Sequence, residues 1–284
     1  MTEQKVTTKW SECDLSYLKE NYTTRSLGEL ATYFGRSERA VQIKASRIGI
    51  AKKLHSQDDT YFDSIDSHEK AYWLGFIAAD GYVIDSPEHG NYELGIELAP
   101  SEHYHLSKFL NAIHSDQGIC YRSRKTFKSR GNDKSYDSCF VRIYSKKIVK
   151  ALERLGVVPC KSFVVTFPNI PSQYIGDYIR GYFDGNGSFY LGHVTSTNGT
   201  RHEYVRAKFV GASKPFFDSL YTALTQSGIT CNKLTDGQCT VLQIDESASV
   251  RRFFNLIYAD RECVKLERKF DIAQKYYQSK RLPA

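Results

Sequence analysis

The sequence predicts an α+β protein. It would hold two copies of one helix–hairpin–helix–hairpin–helix (αββαββα) unit behind a small all-α domain of three helices. Two apolar helical runs, Trp73-Leu74-Gly75-Phe76-Ile77-Ala78-Ala79-Asp80-Gly81 and Ile179-Arg180-Gly181-Tyr182-Phe183-Asp184-Gly185-Asn186-Gly187, are near copies. Each has an early glycine, small residues a turn later and a polar residue before a closing glycine. A second tag keeps the spacing: Asp80 and Asn186 are 106 residues apart, Lys161 and Lys269 108. A fixed period signals a duplicated unit. Finally, alternating strands and amphipathic helices follow each run in the same order, whereas the first fifty residues show helical periodicity alone.

The N-terminal unit, 1–50, opens with Ser11-Glu12-Cys13-Asp14, a hydroxyl cap with an acid three residues on. Leu15, Leu18 and Tyr22 then share a face, with Trp10 ahead. Leu27, Leu30, Ala31 and Phe34 mark a second helix stopped by Gly35, and Ser37 caps a third with its stripe at Ala40, Val41, Ala45 and Ile48. The short Phe34–Ser37 connection forces a sharp turn, which is helix-turn-helix spacing. Arg36, Arg39, Gln42, Lys44 and Arg47 are assigned to the exposed side of the third helix, residue types that meet base edges and phosphates. Residues 51–67 are read as a linker whose latter half packs onto the next domain.

The first copy, 68–170, begins with a helix over Glu69–Ala79. Tyr92–Leu98 alternates with Leu94, Ile96 and Leu98 on one face. A helix over Ser101–Ile113, strands over Ile119–Phe127 and Tyr136–Tyr144 around a Gly-Asn-Asp-Lys loop, and a helix over Ser145–Leu155 complete it. The second copy, 171–284, runs likewise. A helix over Ile175–Gly185 leads to strands over Ser188–Val194 and Glu203–Val210, then a helix over Ser213–Gln226. Strands over Ile229–Leu234 and Thr240–Ile244 follow, then helices over Ser247–Tyr258 and Cys263–Tyr277.

Bulk composition narrows the class. The 284 residues include 20 Tyr and 16 Phe, enough for a packed core without staples. Lys and Arg exceed Asp and Glu by 39 to 32, and the formal charge of +7 suits a polyanionic partner. Seven cysteines, an odd count with no Cys-x-x-Cys pair, argue against a zinc site and a disulfide framework. No signal pattern or membrane-length apolar run is present, so a soluble intracellular protein is expected.

Helices cross closely only where their residues are small. Gly75, Ala78 and Ala79 on one run, and Gly181 and Gly185 on the other, are therefore expected at a helix interface that sets Asp80 and Asn186 side by side. A carboxylate suits Mg²⁺ (or Mn²⁺), a hard cation that binds one or two carboxylates and substrate phosphates. Asn186 offers an oxygen without charge, and Asp184, two residues earlier, points about 200° away. On the strands, Tyr204, Arg206 and Lys208 oppose Val205, Ala207 and Phe209, while Arg142 and Tyr144 oppose Val141 and Ile143. Arg122, Arg124, Lys233 and Gln243 are further base- or phosphate-contact candidates. Glu93 and Glu97 would face the same way as the arginines, an awkward position for a polyanion's partner.

These residues resemble the LAGLIDADG homing endonucleases from about Phe62 to Tyr277, through Gly75 and Asp80-Gly81 in the first motif and Gly181, Phe183-Asp184-Gly185 and Gly187 in the second. Glu29–Ser37 resembles helix-turn-helix and Myb-like modules of microbial DNA-binding proteins. The resemblance implies a pseudo-twofold monomer with saddle-shaped antiparallel sheets over a long duplex DNA target. It implies metal-dependent phosphodiester hydrolysis and a role in intron, intein or free-standing gene mobility in a microbial, phage-infected or organellar setting. It assigns catalysis to Asp80, Asn186, Lys161 and Lys269, with Lys265 and Arg268 competing for the last place. Metal ligation falls to Asp80, Asn186 and the carbonyls of Ala79 and Gly185. The family usually has an acid where Asn186 stands, so cleavage would be complete, restricted to one strand, or lost. The competing functions are a non-catalytic DNA binder and an RNA-splicing maturase on the same scaffold.

Overall fold

The computed structural model describes residues 9–22, 24–50, 55–125, 135–260 and 262–279. Two compact units emerge, one of residues 1–56 with 86–91, the other of 57–85 with 92–284.

The smaller unit holds α1 (Glu12–Asn21), α2 (Leu27–Phe34) and α3 (Glu38–Arg47). Ser11 and Asp14 form a reciprocal capping box on α1, as do Ser26 and Glu29 on α2; Ser37 accepts from the Ala40 amide at the start of α3. Each box satisfies amides that a helix start leaves unpaired. Gly35 ends α2 in the left-handed region at φ 59°, where a side chain would be strained. Leu18, Tyr22, Leu30, Val41 and Ala45 form the buried core, with Trp10 and Phe34 packed against it.

In the larger unit one element order occurs twice. The first pass is α4 (His68–Asp80), β1 (Gly81–Ser86), β2 (Asn91–Leu98), α5 (His103–Ala112), β3 (Cys120–Lys125), β4 (Ser135–Tyr144) and α6 (Lys146–Arg154). The second is α7 (Ile175–Asn186), β5 (Gly187–Thr195), β6 (Arg201–Gly211), α8 (Lys214–Gln226), β7 (Asn232–Asp236), β8 (Cys239–Ile244) and α9 (Ser247–Ile257), with α10 (Glu267–Ser279) added. The sheets have matching strand orders, β1-β2-β4-β3 and β5-β6-β8-β7. The expected loop at 131–134 lies outside the described residues, as do 51–54 of the expected linker. Tyr61, Phe62 and Ile65 are buried in the large core, and Asp58 donates its amide to the Ile113 carbonyl at 2.7 Å.

Register fixes which strand face is covered. In the first sheet Leu94, Ile96, Leu98, Cys139, Val141 and Ile143 are buried and mutually paired. The opposite parity carries Glu93, Glu97, Arg142 and Tyr144, with Arg122 and Arg124 on β3 across from Ser138 and Tyr136. In the second, Val205, Ala207 and Phe209 are buried, which turns Tyr204, Arg206 and Lys208 to the open side, in line with Gln243. Among the described residues, no helix is long and apolar enough to cross a membrane.

The largest shift of a helical boundary from expectation is at α10. Residues 263–266 are not helical; α10 starts at Glu267. The Leu266 amide is instead taken by the buried Asp184 carboxylate at 2.7 Å, a tertiary bond that outweighs local helical pattern.

Candidate active site

The site is built where α4 and α7 cross with their backbones in contact. A Cβ on Gly75 would lie 2.0 Å from the Tyr178 carbonyl oxygen, and one on Gly181 2.0 Å from that of Tyr72. At Gly185 it would lie 2.3 Å from the Ala79 Cβ and 3.4 Å from the Asp80 carboxyl carbon. Only glycine fits such a crossing. Ala78 is buried, but the alanine that faces Gly185 is Ala79.

This crossing brings the two helix ends together. Asp80 is the last residue of α4 and Asn186 the last of α7. Asp80 has no hydrogen-bond or ion-pair partner among the described residues. Its residue is solvent-exposed, yet the surrounding protein raises its pKa by desolvation, against the opposing pull of Lys269 and then Lys161. The crowding decides the direction here, since a carboxylate can reach water and still lose much of its hydration. The Asn186 side chain is half-buried near Tyr182, whose pKa burial lifts to about 12 against a partial offset from the Asn186 amide.

Two lysines finish the helix ends. Lys161 Nζ donates to the Ala79 carbonyl at 2.8 Å. It follows Cys160, which is held at φ 54°, and opens a short 3-10 turn over Lys161–Phe163. Lys269 Nζ donates to three carbonyls at the end of α7: Phe183 at 2.9 Å, Asp184 at 2.5 Å and Gly185 at 3.1 Å. A helix C-terminus carries partial negative charge, so ammonium groups are favoured there. Burial lowers both lysine pKa values to about 8, partly offset by Asp80 for Lys161 and by Asp184 for Lys269. The neighbours that competed with Lys269 are occupied elsewhere: Arg268 with Glu102, and Lys265 with the Cys263 carbonyl at 3.5 Å.

Beneath Lys269 lies a polar cluster that the sequence did not reveal. Asp184 is 1% exposed. It accepts from the Tyr72 hydroxyl at 2.8 Å, the Tyr258 hydroxyl at 3.2 Å and the Leu266 amide at 2.7 Å. Burial raises its pKa to about 6 against these bonds. His105 Nε2 lies 3.0 Å from the Tyr72 hydroxyl, which gives its own proton to Asp184; the imidazole must therefore donate through Nε2, leaving its buried Nδ1 without a partner. Burial holds His105 neutral, with its pKa lowered to about 3. Arg180 bonds the Val264 and Ile257 carbonyls at 2.9 and 3.0 Å and pairs with Asp177 at 2.7 Å.

The open sheet faces carry arginines bound to carboxylates. Glu97 pairs with Arg122 and Arg124 and accepts from Ser138 at 2.6 Å. Burial alone would raise its pKa, but Ser138 and the arginines bring it below the usual value. Glu93 accepts from the Tyr82 hydroxyl at 2.6 Å and stands 3.5 Å from Arg142. The two acids therefore orient the arginines. In the second sheet Asp245, absent from the sequence-based set, pairs with Arg206 at 2.8 Å and accepts from Gln243 and Asn232. Strand parity with Gln243 is the signal that would have found it. Arg206 also stacks over Tyr204 at 4.5 Å.

Two placements differ from expectation. Lys233 lies in register with Leu242 and Phe209, on the covered parity, and pairs with Asp218 of α8; Asn232 takes its place beside Gln243 and Lys208. Arg36 precedes α3 rather than lying on it, and its guanidinium stacks 4.4 Å over Trp10. Arg39, Gln42 and Arg47 are exposed on α3 at helical spacing, and Ile43, missed earlier, is 45% exposed among them; Lys44 is half-buried.

Metal chemistry meets a mixed setting. Among the described residues no group of three or more His, Cys, Asp or Glu could hold an ion. Asp80 fits a Mg²⁺-type site, which needs one free carboxylate and takes its other ligands from water and phosphate. Asn186 brings no charge, and the Ala79 and Gly185 carbonyls are already bonded to Lys161 and Lys269.

No family model and no curated protein matches the chain. Its fold is similar to that of the homing endonuclease I-WcaI bound to its DNA recognition sequence, with a TM-score of 0.50 and 12% identity over 79% of this chain and 97% of that one. The LAGLIDADG meganuclease I-AabMI bound to uncleaved DNA matches at a TM-score of 0.48 and 10% identity, over 74% of this chain and 92% of that one. At 12% identity, the likeness to I-WcaI is one of fold.

Proposed function

We propose that this protein is a site-specific DNA endonuclease that cuts one strand of a duplex target with a divalent metal ion. The observation that carries the proposal is the unpartnered Asp80 carboxylate at the joined helix ends, flanked by Lys161 and Lys269. One chain contributes both ends, so a monomer suffices. Asp80 would hold the ion, which supplies a more acidic bound water and charge neutralisation at the phosphate. Lys161 and Lys269 stabilise negative charge that develops at that phosphate. Asn186 leaves the second end without a carboxylate, so the strand it faces stays intact.

The open faces of the two sheets would lie in the major groove, with Arg122, Arg124, Arg142, Arg206 and Gln243 reading base edges. Exposed Tyr144, with Tyr204 and Lys208, would complete those contacts. The α3 face would extend the site, with Arg39, Gln42 and Arg47 as donors and Ile43 against a thymine methyl. Tethering such a module raises the effective concentration of both on one DNA. Asn186 also favours a second reading, a non-catalytic DNA binder. A duplex selected from a random library and placed in supercoiled plasmid separates them when Mg²⁺ is added. Open circles support the nickase; binding without any strand break supports the binder.

A further inference from the structure

The polar cluster under α7 has a purpose that packing alone does not explain. Four hydrogen bonds link the helix to the chain that leads into α10. Arg180 holds the Ile257 and Val264 carbonyls, and Asp184 holds the Tyr258 hydroxyl and the Leu266 amide. Three residues past Leu266, the Lys269 amide donates to the Leu266 carbonyl at 3.0 Å, and its Nζ reaches the last carbonyls of α7. Tyr72, from α4, donates to the same carboxylate at 2.8 Å, so the anchor is also tied to the facing helix. In the aligned repeat α4 carries Leu74 and Ala78 where α7 carries Arg180 and Asp184, and all four are buried.

Burying two charged groups costs desolvation that two apolar residues would not. The α4 half shows that apolar residues can fill these positions, so the crossing itself does not require the charges. We infer that Asp184 is a positioning residue, which fixes the 264–269 segment so that Lys269 stands over the end of α7. This rests on the nuclease reading, with the Lys269 charge acting on the phosphate from the end of α7. Lys161 needs no such anchor, because its own short turn delivers it to Ala79.

The test is Asp184→Ala in the full chain, with the selected duplex as probe. Alanine is the residue α4 holds at the aligned position, and it removes the oxygen that takes Tyr72 and Leu266 together with the one that takes Tyr258. Binding should stay within about threefold, while cleavage falls roughly a hundredfold, the scale of an ångström-sized misplacement. Amide hydrogen exchange over 264–269 should accelerate in the DNA-free protein. Because Asp184 acts through Lys269, adding Asp184→Ala to Lys269→Gln should slow cleavage no further. Tyr258→Phe, which removes a single bond, should move the same readings by a smaller amount and decides the matter should Asp184→Ala not fold. Unchanged exchange and cleavage would overturn the inference, as would additive losses in the double variant or a parallel loss of binding, cleavage and thermal stability. A wild-type protein that binds DNA and never cuts it would sink the nuclease reading, while faster exchange over 264–269 would still support the anchor.

Discussion

Where α4 ends, Asp80 offers a carboxylate that no neighbour hydrogen-bonds; where α7 ends, Asn186 offers an uncharged amide near Tyr182. Beneath them the contrast reverses. The interior of α4 is apolar at Leu74 and Ala78, while α7 buries Arg180 and Asp184 in a hydrogen-bonded cluster. Both helices keep the glycines that let them touch. Duplication therefore preserved the crossing and let the chemistry at each end diverge, because the crossing tolerates no added atom and a helix end open to solvent tolerates many.

The comparison breaks most readily at Asp80. Asp80→Asn should lower strand cleavage roughly a thousandfold, the upper range for removal of one charge-stabilising group, with DNA binding retained. The residual rate of a plasmid assay reads this. Asn186→Ala should change that rate by less than about threefold on the same scale. An equal loss at both ends would contradict the asymmetry.

The glycines test what the ends share. Gly75→Ala and Gly181→Ala each place a Cβ about 2.0 Å from a backbone oxygen. Each should cost about 3 kcal/mol or more in denaturant unfolding, the upper range for overpacking. The two losses should match; a strong inequality would show that the crossing is not symmetric.

A smaller effect separates the buried cluster from the helix ends. His105 is neutral when folded, with its pKa lowered to about 3, whereas an unfolded histidine titrates near 6.5. The unfolded chain then binds the extra proton first, so this contribution to stability is intact above about pH 6.5 and declines as pH falls toward 3. The slope is up to about 1.4 kcal/mol per pH unit. His105→Gln should flatten the acid side of the stability profile by that amount. An unchanged profile would mean that the imidazole is already charged in the folded state.

Much of this was legible in sequence, for a local reason. The two motifs announce themselves because close helix crossing admits few residue types, and strand faces on β4 and β6 follow from alternation against a buried side. Lys233 was misplaced because β7 is exposed along its whole length, which leaves no buried parity to read. Arg36 was assigned to a helix that starts two residues later, at the resolution where caps decide boundaries. Asp184 could be seen to point away from Asn186. Its partners Tyr72, Tyr258 and Leu266 are distant in sequence, and so were invisible. The same bonds explain why 263–266 escaped its helical pattern.

The most direct measurement follows the wild-type protein on supercoiled plasmid with Mg²⁺ and maps the broken strand. Inequivalent ends predict open circles that persist, with every break on one strand, and Asn186→Asp converting them to linear DNA. Linear product formed by the wild type as fast as open circles, or breaks shared equally between the strands, would contradict the account.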